Sequence, residues 1–123
     1  MKPIREWEDE SSGVLFSLID VLNACHHWSI GRCTSAMSAN ADQLRSAARD
    51  VKKWLSTHPC PYRDVDIQLA RMGRSCDLLA EFLEFQIHIS GADWSTIDNE
   101  LHGLNQLAAR TFTMIYEQSL RQD

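Results

Sequence analysis

The chain has 123 residues, of which 44% are hydrophobic and 24% charged, and its formal net charge is −5. That length fits one domain with a self-sufficient core, and the acidic balance argues against a protein that coats nucleic acid through its overall field. No run approaches the roughly 20 apolar residues of a membrane span, and the acidic start (Glu6, Glu8, Asp9, Glu10) is unlike a secretory leader, so a soluble cytoplasmic protein is expected.

Along the chain a 3-4 hydrophobic spacing recurs four times. Ile4, Trp7, Ser11, Val14, Leu18, Val21, Cys25 and Trp28 make the first seam, predicting a helix over about 3–30. Ser11-Ser12-Gly13 weakens its start, so residues 1–12 either join that helix or form a docked N-terminal extension. After Gly31-Arg32-Cys33, the second seam runs through Thr34, Met37, Ala41, Leu44, Ala48, Val51, Leu55 and His58, for a helix over about 34–57. Pro59 and Pro61 end it. Tyr62, Val65, Leu69, Met72, Cys76, Leu79, Leu83 and Gln86 carry the third, over about 62–89. Beyond Ser90-Gly91-Ala92-Asp93, the fourth takes Trp94, Ile97, Leu101, Leu104, Ala108, Thr111, Ile115 and Gln118, over about 93–121.

Of these 32 positions 26 are hydrophobic, against about 14 expected by chance from the 44% content. Four helices of matched length joined by short links predict an all-α fold, a single antiparallel up-down-up-down four-helix bundle over 1–123. Phe16 and Ile19, Phe85 and Ile87, and Phe112 and Met114 lie off the seams, leaving apolar surface on which a homodimer could form.

Charge is uneven. Residues 32–74 hold eight Lys or Arg against four acids, and Arg45, Arg49, Lys52 and Lys53 recur at helical spacing on the side of the second helix away from its seam. With Trp54 beside them, these residues form the candidate contact for another protein with an acidic surface; a solvated face is the plainer alternative. Trp7, Trp28 and Trp94 fall near the bundle ends, where they either cap the core or anchor a partner.

Metal or haem sensing is the competing function. Cys25, His26, Cys33, His88 and His102 fall toward one end of an antiparallel bundle, with zinc, copper or haem as the ions or groups such ligands take. Adjacent helical residues point about 100° apart, however, so His26 and His27 do not both face the seam that holds Cys25. No Glu-x-x-His pair suits a di-iron centre, and Cys60-Pro61 is accounted for by the turn alone.

His27 with Gly31 four positions on resembles the motif of histidine phosphotransfer domains, although Ile30 stands where that family has a lysine. The resemblance covers five residues and implies a phosphorylated His27 on a helical bundle. No Gly-x-Ser-x-Gly, phosphate-binding loop or helical-ribonuclease spacing is present, so no enzyme activity and no cofactor are expected. The leading expectation is a non-catalytic regulatory or interaction module of adaptor, inhibitor or immunity type.

Overall fold

The computed structural model describes residues 4–87 and 91–121, which form four helices and, among the described residues, no strand. Helix α1 spans Ile4–Gly31, α2 Met37–Thr57, α3 Arg63–Ile87 and α4 Trp94–Arg121. A 3-10 turn at Thr34–Ala36 leads into α2, so the second helix begins one turn later than its seam suggests. Each helix packs on its neighbours in sequence, and α1 closes the ring against α4. Contacts between opposite ends fix the directions. The Trp7 indole N–H, early in α1, donates to the His58 carbonyl after α2 at 2.9 Å. Arg45 of α2 pairs with Glu84 late in α3, and Trp28 late in α1 lies 5.2 Å from Trp94 at the start of α4. Neighbouring helices are therefore antiparallel, as an up-down-up-down bundle requires.

The core follows the seams. Leu18, Leu44, Leu69, Met72, Leu83, Ile97 and Leu101 are almost wholly buried, and among seam positions with described side chains only Thr34 is exposed. Helix α1 departs from a strict seam: Leu15, Leu22 and Ser29 are buried more deeply than Val14, Val21 and Trp28. A straight helix drifts about 20° per heptad against a 3.5-residue repeat, and that drift carries the inward face onto the next residue. The weak Ser11-Ser12-Gly13 stretch does not interrupt α1. Ser11 is buried and its hydroxyl donates to the Glu8 carbonyl, while Ser12 bonds the Asp9 carbonyl in the same way, so both satisfy themselves within the helix. Residues 4–12 accordingly belong to the helix that enters the bundle.

Each end of the bundle is closed by a tryptophan pair. At one end Trp7 and Trp54 meet edge to face at 5.5 Å, and Trp54 stacks on His58 at 4.5 Å with the rings 7° from parallel. At the other, Trp28 donates its indole N–H to the Cys33 carbonyl at 2.7 Å and leans on Trp94. There the chain leaves α1 through Arg32, the one non-glycine residue with positive φ (53°) among the described residues. Such a conformation costs an L-residue roughly 1–2 kcal/mol. Its side chain supplies the compensation: an ion pair to Asp98 at 2.7 Å and a guanidinium 5.4 Å over the Trp94 ring.

Candidate docking surface

On α2, 100° per residue turns Arg45 and Lys52 toward α3 and Arg49 and Lys53 toward solvent. Arg45 is half-buried and grips the Glu84 carboxylate with both terminal nitrogens, the Nη2 bond being 2.9 Å. Arg49, Lys52 and Lys53 are exposed. Lys52 lines a groove of about 520 Å³ between α2 and α3, with Arg74, Asp66 and Asp77 on the facing helix. Lys53 and Trp54 line a groove of about 690 Å³ between α2 and α1, floored by Val14, Leu18, Val21 and Ala47. Trp54 is thus held between Trp7 and His58 with one edge facing that groove, and Arg45 is engaged inside the molecule. The three remaining cations form the open edge of α2.

The cysteines and histidines are dispersed. Cys25 is buried in the core, whereas Cys33 lies exposed in the turn after α1. His26 and His27 are exposed near the end of α1, with ring centroids 6.3 Å apart, and His102 is exposed on α4. His88 lies outside the described residues. Among the described residues no three His, Cys, Asp or Glu side chains converge on a point that could hold a metal ion.

Thiol chemistry separates along the same line. Burial pushes the Cys25 thiol up to about 11 and the Cys76 thiol to about 12, the latter with a smaller contribution from Cys25. Burial also raises Cys60 to about 11. Cys33 moves the other way: its sulfur lies 3.1 Å from the Ser35 hydroxyl, and that contact, with a smaller effect of the nearby Ala36 backbone N–H, favours the thiolate.

A further surface lies on another face of the bundle. Between α1 and α4 runs a groove of about 510 Å³ lined by Glu8, Asp9, Ser12, Leu15, Phe16, Ile19, Phe112, Ile115 and Tyr116. Phe16 is 62% exposed and Tyr116 60%. Phe16, Ile19 and Phe112 are off-seam residues from opposite ends of the chain, which the spacing alone does not join, and Tyr116 is not among the off-seam residues that the spacing singles out. The available signal was the off-seam aromatic spacing in both terminal helices, which meets only once α1 is known to pack against α4.

No helix among the described residues is long and apolar enough to cross a membrane. Comparison with protein-family models, with curated proteins and with solved structures finds no match for the chain.

Proposed function

We propose that the protein is a non-catalytic interaction module whose cationic α2 edge docks on an acidic surface of another protein. The observation that carries this reading is the exposed row Arg49, Lys52 and Lys53 on one rigid helix, between two grooves and anchored at its near end by the Arg45–Glu84 pair. Side chains held on a packed helix lose less freedom on binding than the same charges on a loop, and a row of like charges steers an acidic partner during encounter. The four free cysteines suit a reducing, cytoplasmic setting.

The test leaves Arg45 in place, because reversing it would break its pair with Glu84. A triple variant, Arg49→Glu with Lys52→Glu and Lys53→Glu, changes exposed residues only and is expected to keep the wild-type helical content and melting temperature within a few degrees. Proteins recovered with wild type, quantified by mass spectrometry, are expected to fall by about tenfold with the variant. Unchanged recovery from a folded triple variant sinks this assignment.

A further inference from the structure

An apolar groove with carboxylates at its rim lies between α1 and α4. The α1/α4 groove is floored by Leu15, Ile19 and Phe112, and its two most exposed aromatic rings, Phe16 and Tyr116, flank it. Among the described residues no cation lines it; Asp9 stands exposed at its rim, and Glu6, Asp20 and Glu117 are exposed on the same two helices, as are Arg110 and Arg121 further from the groove. From Glu8 to Ile19 the groove follows α1 for about 16 Å, the length of three helical turns.

We infer that this groove receives a cationic amphipathic helix of a second partner, whose apolar face lies on Phe16 and Tyr116 and whose Lys or Arg residues meet the acidic rim. Three features together select that occupant. The trough has the length and aromatic lining of a helix-in-groove site, where anchors recur at i, i+3, i+4 and i+7. Large aromatic side chains dominate binding at interface centres. The rim charge rejects an anionic surface, and it also disfavours a second copy of this acidic face, which would bring like charges together. With the cationic edge on α2, the bundle joins two partners of opposite charge, as an adaptor does.

Fluorescence anisotropy of a labelled Leu/Lys amphipathic helix of about 18 residues, long enough to hold helical structure, tests the inference on the full chain. Saturable binding is expected, weakening with added salt and falling roughly tenfold or more in Phe16→Ser and in Asp9→Lys. Phe85→Ser, a change to an exposed aromatic residue on α3, is expected to leave the affinity unchanged, and a Leu/Glu helix of the same length is not expected to bind. Because Phe16, Asp9 and Phe85 are all exposed, circular dichroism is expected to show folded variants. Absence of binding, or equal binding by wild type and Phe16→Ser, overturns the inference. So does loss of binding in Phe85→Ser, or a dimer by sedimentation that Phe16→Ser dissolves, which would give the face to a second copy.

Discussion

At the scale of single residues the chemistry divides into side chains absorbed by the fold and side chains left outside it. Arg32 shows the first kind: a left-handed backbone is tolerated because Asp98 and Trp94 both hold its guanidinium. Gly31 ends α1, and it is the next residue, not the glycine, that takes the left-handed turn. No local rule could show this, since the compensation comes from α4. The cysteines make the division measurable. Thiolate, not thiol, reacts with alkylating reagents, so at neutral pH iodoacetamide is expected to label Cys33 first. Cys60 should follow slowly, and Cys25 and Cys76 only once the chain is unfolded. Peptide mapping by mass spectrometry over a time course checks the order; early labelling of Cys76 would contradict its burial.

The seams belong to the scale of the helix, and they made the fold legible. A 3-4 spacing states which side of each helix is inward, and the buried residues of α2, α3 and α4 follow it closely. Polar residues within the seams turn out to serve the helices themselves. Thr111, wholly buried, donates its hydroxyl to the Leu107 carbonyl at 2.7 Å. Gln86 accepts from the Asp93 backbone N–H at 2.7 Å, which joins the end of α3 to the start of α4. Thr111→Val removes a hydroxyl whose acceptor keeps its place in the helix ladder, so it is expected to change stability by about 1 kcal/mol or less. Leu101→Ala, one α4 seam position where the side chain is fully buried, is expected to cost about 2–5 kcal/mol. Urea unfolding of the two variants decides between structural and polar roles for the seam; a larger loss from Thr111→Val would mean that the hydroxyl has a partner beyond Leu107. What the spacing could not state is which helices meet across the closing side. The α1/α4 groove and the Trp28 contact to Trp94 arise from that closure, so both were hidden until the helices were placed.

For the whole molecule, the arrangement leaves the seams to the core and the candidate docking residues on outer helix faces. The two tryptophan pairs close the ends, the seams fill the middle, and the candidate metal ligands among the described residues are spread between the core, a turn and two outer faces. A cationic edge on α2 and an acidic-rimmed apolar groove between α1 and α4 lie on different faces of one bundle. The claim that they are separate binding surfaces is tested most directly by amide chemical-shift mapping during titration with the Leu/Lys helix. The predicted result is movement confined to residues 8–19 of α1 and 112–116 of α4, with Arg45, Arg49, Lys52 and Lys53 unmoved. Shifts spread across α2, or a general loss of dispersion, would contradict it.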